Sequence, residues 1–371
     1  MSSLAEVIVI GGGVMGCSIA YYLAKEGVKV TVLEMGQIGG QASGAAAGML
    51  APFSEIHSSS PSMDMNMASL RMFKALTEEL KEESGIDVEY VPSGLIRLAK
   101  TDEEEKELKE RLSWQREHSP DLRWLTPQEL KELEPSLSLD VRGASYSPEE
   151  SHVQSPRLTQ AFGQAALRLG ATLRPGTPAI DLTRQGSRVT GVQLRGEVVA
   201  ADHVVLAPGA WTETWGHRLG VKLPVQPMRG QIISLRPSSP SIKQIVFWGR
   251  NYMVPKVDGS VLVGATVEHV GFDTSVTSSG LAFLTGLILS MVPSLEEAAF
   301  VDAWAGLRPW PEDGVPLLGP IPGWEGITVA SGHYRNGILI APLTGKLIAQ
   351  SVLKQKTDFP LEPFSPARFM K

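Results

Sequence analysis

Three glycines spaced Gly11-x-Gly13-x-x-Gly16, with Glu34 following Gly16 by 18 residues, are the residues whose types and spacing most directly specify chemistry. Gly11 allows a tight turn, Gly13 lets a pyrophosphate lie against the backbone, and Gly16 lets a helix pack close to a strand. An acid about 20 residues downstream is placed to bind ribose hydroxyls. That chemistry needs particular elements around it. Val7 to Ile10 is a short apolar run that reads as a buried parallel strand. Ile19, Ala20, Leu23 and Ala24 then recur at helical spacing, and a second apolar run, Val28 to Leu33, ends at Glu34. The helix N-terminus would turn free N–H groups and a positive dipole end toward phosphates. Strand, glycine turn, helix, strand and acid together specify a dinucleotide-binding unit.

The 371 residues suffice for two domains or one large interrupted one. With 43% hydrophobic and 20% charged residues, the chain is globular rather than disordered. A net charge of −6 and the lack of a basic run argue against nucleic acid as a partner. The only cysteine, Cys17, permits no internal disulfide and fits a cytoplasmic location; directly after Gly16 it reads as a small packed residue. Met1 to Glu6 brings no basic stretch, and the apolar run after it is too short and glycine-rich for a signal peptide. The longest apolar stretch elsewhere, Leu281 to Val292, falls short of the about 20 residues that a membrane span needs. No metal site is expected.

Gly39 to Met49 is rich in small residues that let backbone lie against a flat ligand. Met65, Ala68, Met72, Phe73, Leu76 and Leu80 predict an amphipathic helix over 62–83, and the alternating charges of 101–116 predict an exposed one. Thr126-Pro127-Gln128-Glu129 starts a helix with a capping box, and Ser155-Pro156 opens another that runs to about Leu169. Ala171 to Leu173 begins a strand-rich section, in which Val189 to Leu194 and Glu197 to Val199 pair as a hairpin. Asp202 to Trp211 reads as strand, sharp turn and helix start. Gln231 to Leu235, Tyr252 to Pro255 and Val261 to Gly264 read as antiparallel strands, with a helix over 280–291 after them. Ile327 to Ala330 is a last buried strand, and a helix follows from about Thr344 to Leu353. Nucleotide-type elements thus occupy both ends, with antiparallel material inserted between.

Further blocks extend the pattern: Ala42 to Leu50, Ser151-His152-Val153, Leu206 to Trp211, Gln226 to Gln231, Trp304 to Pro309 with Asp313-Gly314, and Gly332 to Pro342. Together with the fingerprint, and in this order over nearly the whole chain, they resemble the glycine oxidase / D-amino acid oxidase family of FAD-dependent amine oxidoreductases, nearest its bacterial thiamine-pathway branch. The resemblance implies an α/β, two-domain GR2-type flavoprotein. A Rossmann-like FAD domain would comprise 1–85, 141–220 and 301–371, and an antiparallel-sheet substrate domain 86–140 and 221–300. FAD would be held noncovalently, because attachment of the sarcosine oxidase kind needs a cysteine near 308–319 and none is there. A homo-oligomer, a tetramer in close relatives, is implied as well.

By the same resemblance, Gly11, Gly13, Val14, Met15 and Gly16 hold the FAD pyrophosphate and Glu34 the adenosine ribose. Ser43, Ala46, Ala47, Gly48 and Met49 would lie along the pyrophosphate and flavin, Ala179 would reach the adenine by backbone, and Gly209 with Trp211 would flank the cofactor. His333, Arg335, Asn336, Gly337 and Ile338 would pass beside the flavin, where backbone donors stabilise the negative charge that grows at N1–C2=O on reduction. A satisfied histidine in a turn, with no role in the site, is the other reading of His333. Arg308 would hold the substrate carboxylate, since a planar guanidinium binds carboxylate bidentately. Tyr252 would touch the same group, Arg335 would line the pocket, and Met49 would lie over the substrate space.

The implied reaction moves the Cα hydrogen of a neutral amine to flavin N5 as hydride, with no obligatory side-chain acid or base. The imino acid hydrolyses to the 2-oxo acid, glyoxylate from glycine, and O2 is returned as H2O2. The alternatives are a dehydrogenase that passes electrons to a quinone or other acceptor, and a protein that keeps FAD only as structure. An NAD-dependent dehydrogenase shares the N-terminal fingerprint but not the Gly332 to Gly337 block. Two positions depart from the family pattern. Arg250 stands where a histidine is familiar, two before Tyr252. On a period-2 strand the two would share a face, and a second cation near the entrance would favour substrates with an extra acidic group. Val267 stands where a methionine is familiar.

Overall fold

A computed structural model of the chain describes residues 6–56, 60–138, 140–238 and 242–370. Residues 1–5, on which the reading of the N-terminus rests, lie outside the described residues. β1 (Glu6–Ile10), α1 (Val14–Lys25) and β2 (Lys29–Leu33) form the predicted nucleotide unit. The short α2 (Ala42–Ala45), β3 (Met49–Leu50) and α3 (Pro52–Glu55) lead into α4 (Pro61–Ser84). Next come β4 (Leu95–Ala99), α5 (Asp102–Gln115), β5 (Arg123–Leu125), α6 (Pro127–Leu133), β6 (Gly143–Ser147), β7 (Ser151–His152) and α7 (Ser155–Arg168). The capping box that opens α6 is formed by Thr126 and Glu129. The middle of the chain supplies β8 (Thr172–Arg174), β9 (Asp181–Gln185), β10 (Arg188–Gln193), β11 (Val198–Ala200), β12 (His203–Leu206) and α8 (Thr212–Leu219). The remainder is β13 (Val225–Arg236), β14 (Ile245–Trp248), β15 (Asn251–Pro255), β16 (Val261–Gly264), α9 (Ser278–Met291), β17 (Ala299–Pro311), β18 (Leu317–Pro320), β19 (Ile327–Ser331) and α10 (Gly337–Val352).

Two sheets carry the site. The first has the order β18-β19-β12-β1-β2-β8 and is parallel except at its β18 edge. Its central strands β1, β12 and β19 are buried on both faces because both are covered. Val7, Val9, Val30 and Val32 pack in one core with residues of α1, α7 and α10, while Ile8, Ile10, Val204 and Leu206 pack in another with Val189, Val192 and Trp215. The second sheet has the order β17-β13-β16-β15-β14-β4-β6-β5 and is antiparallel except between β14 and β4. This is the mixed architecture expected, a Rossmann-like unit beside an antiparallel one.

Four features differ from the local pattern. α10 begins at Gly337 rather than near Thr344 and takes Pro342 into its second turn, where proline denies Ile338 its intrahelical donor. Tertiary packing overrides that local penalty: Ser18 Oγ donates to Ala341 O at 2.9 Å, and a Cβ on Gly345 would lie 2.1 Å from Ser18 Oγ, so α1 and α10 cross almost backbone to backbone. α5 is not exposed all round, because Leu108, Arg111, Leu112 and Gln115 are buried. The charge alternation marks only its outer face. β9 and β14 carried no sequence expectation, and neither did β3 to β7, β17 or β18. Finally, β17 pairs with β13 from end to end and β6 pairs with β4, so 301–311 and 143–147 run in the second sheet rather than with the nucleotide unit. Pairing between strands far apart in sequence leaves no mark on either strand alone.

Candidate active site

The glycine turn after β1 is built by contact distances. Gly11 has φ +109 and donates to Leu33 O at 2.8 Å; a Cβ there would stand 2.2 Å from Ala207 O. A Cβ on Gly16 would stand 1.8 Å from Gly11 O. Around Gly13 only Ser43 Oγ comes near, 3.1 Å from the position a Cβ would take, and the space beyond is cavity. α1 has no side-chain cap; Val14 N donates to Ser43 Oγ at 2.9 Å, while the amides of Met15 and Gly16 belong to the first turn, which has no intrahelical acceptors.

Glu34 is buried, and its two oxygens accept from Gly12 N and Gly36 N, both at 2.7 Å. The acid therefore staples the glycine loop to the end of β2, and each oxygen keeps a second lone pair for another donor. A cavity of 110 Å3 in front of α1 is lined by Gly13, Val14, Met15, Ser43, Ala46 and Gly209, and on its far side by His333, Arg335, Gly337 and Ile338. Gly337 and Ile338 open α10, whose N-cap Asn336 makes no side-chain cap bond. Two helix N-termini thus converge on one space. This is a cradle that fits a dinucleotide: backbone donors, small side chains and positive dipole ends. Ala179 is half-buried at the edge of the β9–β11 core, and the Trp211 ring stacks on Phe272 with centroids 5.2 Å apart.

An adjoining cavity of 80 Å3 shares Ala42, Ala46, Tyr334, Arg335 and Ile338 with the first and adds Ala47, Gly48, Met49, Tyr252 and Arg308. Arg308 lies on β17 opposite Met228, and Tyr252 on β15 opposite Gly264. Two glycines set their side chains. A Cβ on Gly230 would lie 2.1 Å from both Nη atoms of Arg308, so the guanidinium rests on bare backbone. A Cβ on Gly264 would lie 2.6 Å from the Tyr252 ring. Arg308 Nη1 donates to Thr266 O at 3.2 Å. Burial lowers the Arg308 pKa; the facing Tyr252 opposes this and the Arg335 charge adds to it. The group stays cationic, because arginine does not deprotonate in proteins. Among the described residues Arg308 has no ion pair, and its cavity is lined by no carboxylate. A cation enclosed in this way calls for an anion from outside.

The other expected substrate residues divide between two cavities. Arg335 Nη2 donates to Arg250 O at 3.0 Å, and its Cζ sits 5.8 Å from the Tyr252 ring centroid. Arg250 is exposed and lies in the two-residue turn, Gly249-Arg250, between β14 and β15. The strand starts only at Asn251, so alternation does not relate Arg250 to Tyr252; the turn does. Arg250 lines a separate cavity of 250 Å3, with Asn336 and Arg335. His333 is buried, its Nε2 lies 3.4 Å from Thr344 Oγ1 on α10, and burial lowers its pKa to about 3, so it is a neutral residue in the wall of the cavity in front of α1. Cys17 is buried and its thiol is pushed up to about 12 by burial and by Glu34, the state of an inert packed residue.

Sequence reasoning missed Gly230, Gly264, Tyr334 and Lys256. A glycine inside a strand marks close approach of another group, so Gly230 and Gly264 carried a usable signal. Tyr334 has φ +47 and lines all three cavities, a conformation no local pattern announces. Lys256 is buried at the end of β15. Its Nζ donates to Ala47 O at 2.6 Å and Val153 O at 3.0 Å, tying the Ala46–Gly48 segment to the second sheet, and burial lowers its pKa to about 7.

Residues 6–351 match the family model described as FAD dependent oxidoreductase (DAO). The chain is 40% identical over 370 residues to a glycine oxidase of Geobacillus kaustophilus, covering 99% of this chain and 98% of that one. It is 33% identical over 353 residues to a glycine oxidase of Bacillus subtilis, covering 95% and 94%. The crystal structure of the Geobacillus kaustophilus glycine oxidase superposes with a TM-score of 0.95, covering 98% of this chain and 99% of that one. That of an iminodiacetate oxidase from Chelativorans, 29% identical and covering 97% and 98%, gives 0.90.

Proposed function

This chain belongs to the DAO family of FAD-dependent oxidoreductases, and from that premise we propose that it oxidises glycine, sarcosine and small D-amino acids to the 2-oxo acid, releasing ammonia or amine and H2O2. The observation that carries this reading is Arg308: a fixed guanidinium without an ion partner among the described residues, facing a cavity continuous in its walls with a dinucleotide cradle. The activities named for similar proteins, on glycine and on iminodiacetate, share an amine on an unbranched Cα.

FAD held in the cradle would supply a two-electron acceptor for the Cα hydrogen and a route for the electrons to O2. The rest falls to this chain. The amides of Met15 and Gly16, the first turn of α10 and the Glu34-held loop would hold the cofactor. The sole cysteine is buried in α1 with a protonated thiol, so FAD is held noncovalently in this reading. Arg308 binds the substrate carboxylate through its paired N–H groups and the Tyr252 hydroxyl donates a further bond. Fixing the carboxylate fixes the Cα hydrogen, and orientation of this kind removes much of a barrier. The Arg308 and Arg335 charges disfavour the ammonium form of the substrate, so the reactive neutral amine forms by loss of a proton to water. Among the described residues, none lining that cavity is an aspartate, glutamate, histidine or lysine, and no side-chain acid or base is assigned.

No helix among the described residues is long and apolar enough to cross a membrane. The reading includes a cytoplasmic homo-oligomer; exposed Phe283, Leu289, Phe300 and Val301 on α9 and the start of β17 support self-association. It also assigns FAD to the unit around the first sheet and substrate to the unit around the second. Anaerobic mixing of the holoenzyme with glycine, sarcosine, D-alanine and L-alanine, followed by air, tests the activity. Bleaching of the visible flavin band by the achiral and D-substrates, with peroxide on reoxidation, is expected. Bleaching without peroxide makes the protein a dehydrogenase, and no bleaching removes the assignment of Arg308.

A further inference from the structure

The 250 Å3 cavity beside the Arg308 cavity shares Tyr334 and Arg335 with it as a common wall. Its volume exceeds what glycine or sarcosine needs, since a water occupies about 30 Å3 of liquid. Arg97, Arg250 and Arg335 line it, and none of its described lining residues is an aspartate or glutamate. The neutral polar side chains there are Ser54, Ser62, Asn66, Trp310, Tyr334 and Asn336, and the buried His333 is uncharged.

Arg250 stands out within this cavity because its backbone is gripped from both sides. Arg97 Nη1 donates to Gly249 O at 2.9 Å, and Arg335 Nη2 donates to Arg250 O at 3.0 Å. Arg97 is itself anchored, with Nη2 donating to Ser54 O at 2.8 Å and its Cζ 4.7 Å over the Phe247 ring. An exposed turn with a left-handed glycine, Gly249 at φ +57, is thereby held in one place. Among the described residues the Arg250 side chain has no ion pair. Arg335 reaches from the Arg250 carbonyl to the Tyr252 ring, so one side chain spans the distance between the outer cation and the substrate carboxylate site.

We infer that the outer cavity is a second anion subsite and that Arg250 is its specificity-determining residue. The substrates it favours are amino acids with a distal carboxylate: an acidic D-amino acid, or a glycine whose nitrogen carries a carboxyalkyl group. The α-carboxylate sits at Arg308 and the distal one crosses the Tyr334–Arg335 wall to Arg250. The inference rests on the reading of Arg308 given above. The subsite is open to water on its Arg250 side, so its effect is smaller than that of a closed pair.

The test compares isosteric substrates that differ only in charge. The holoenzyme is assayed with D-aspartate against D-asparagine, and with N-(carboxymethyl)glycine against its monoamide, in wild type, Arg250→Gln and Arg250→Lys. The quantity read is the quotient of kcat/KM for the anionic over the neutral member. Wild type favours the anionic member, Arg250→Gln lowers the quotient on the order of fivefold, and Arg250→Lys restores part of it. Added salt lowers the wild-type quotient as well, an arm that needs no variant. A quotient equal in wild type and Arg250→Gln and insensitive to salt overturns the inference. So does oxidation of glycine and sarcosine with no oxidation of either pair. Failure with glycine and sarcosine too overturns the activity itself, and the subsite with it.

Discussion

At the N-terminus of α1 one cavity is faced by backbone amides and by the missing side chains of Gly13 and its neighbours; on the second sheet the adjoining cavity is faced by the long side chains of Arg308 and Tyr252. The cradle works by absence. Its donors are fixed to the main chain, so they are in place as soon as α1 packs on β1, and what destroys them is an added atom. The cleft works by reach. A guanidinium at the end of a flexible stem has many rotamers, and here it has one place because Gly230 leaves a flat floor and Thr266 O accepts one of its N–H groups. Glycine serves both regions, as a gap for a ligand in the first and as a seat for a side chain in the second.

The largest effect should come from the cradle. Gly16→Ala places a Cβ 1.8 Å from Gly11 O, where only backbone is available to move. The variant is expected to purify without flavin or not to accumulate, and a yellow protein with full FAD content would break the comparison. In the cleft, Arg308→Met should leave FAD bound and lower kcat/KM for glycine about 10- to 150-fold, the worth of a charged hydrogen bond to a secluded carboxylate. Steady-state kinetics with the visible spectrum as the control for FAD decide it.

Gly230→Ala sharpens the contrast. The clash is with the tip of the Arg308 side chain, which can yield, so the loss should be about tenfold in kcat/KM, smaller than for Arg308→Met and again with FAD retained. Loss of FAD instead would show that the two regions are not separable.

The smallest effect concerns the contact between α3 and Glu150. Glu150 is buried and its Oε1 accepts from Phe53 N at 3.0 Å. Burial raises its pKa to about 7, against that bond and the Arg97 and Arg111 charges. The folded state therefore holds a proton that the unfolded state has released, so this contribution to stability is full below pH 4.5 and fades as pH rises through about 7. Glu150→Gln should gain on wild type in Tm as pH rises across that window, by about 2 to 4 °C. Parallel Tm curves for the two proteins would show that Glu150 does not titrate there.

Much of this was legible. Strand β1, the glycine turn, α1, β2 and the acid at Glu34 are local, so their spacing is written in one continuous segment. The antiparallel character of 225–267 was legible for the same reason, and so was the capping box at Thr126. The start of α10 was not, because Pro342 argues against a helix locally and the contact with Ser18 that overrides it comes from the other end of the chain. Arg250 was read on a strand face and proved to sit in a turn, because a two-residue connection and a strand end look alike until β14 is known to pair with β15.

The sequence by itself determined the nucleotide unit, the family resemblance and the identity of Arg308 as the residue to watch. Only the tertiary structure decided that Gly230 and Gly264 seat Arg308 and Tyr252, that Lys256 ties the Ala46–Gly48 segment to the second sheet, and that two helix N-termini meet in one cavity. The reason is physical: backbone geometry over a few residues follows from local sterics and periodicity, whereas these contacts depend on strand register and helix packing between separate segments of the chain, which no single segment encodes.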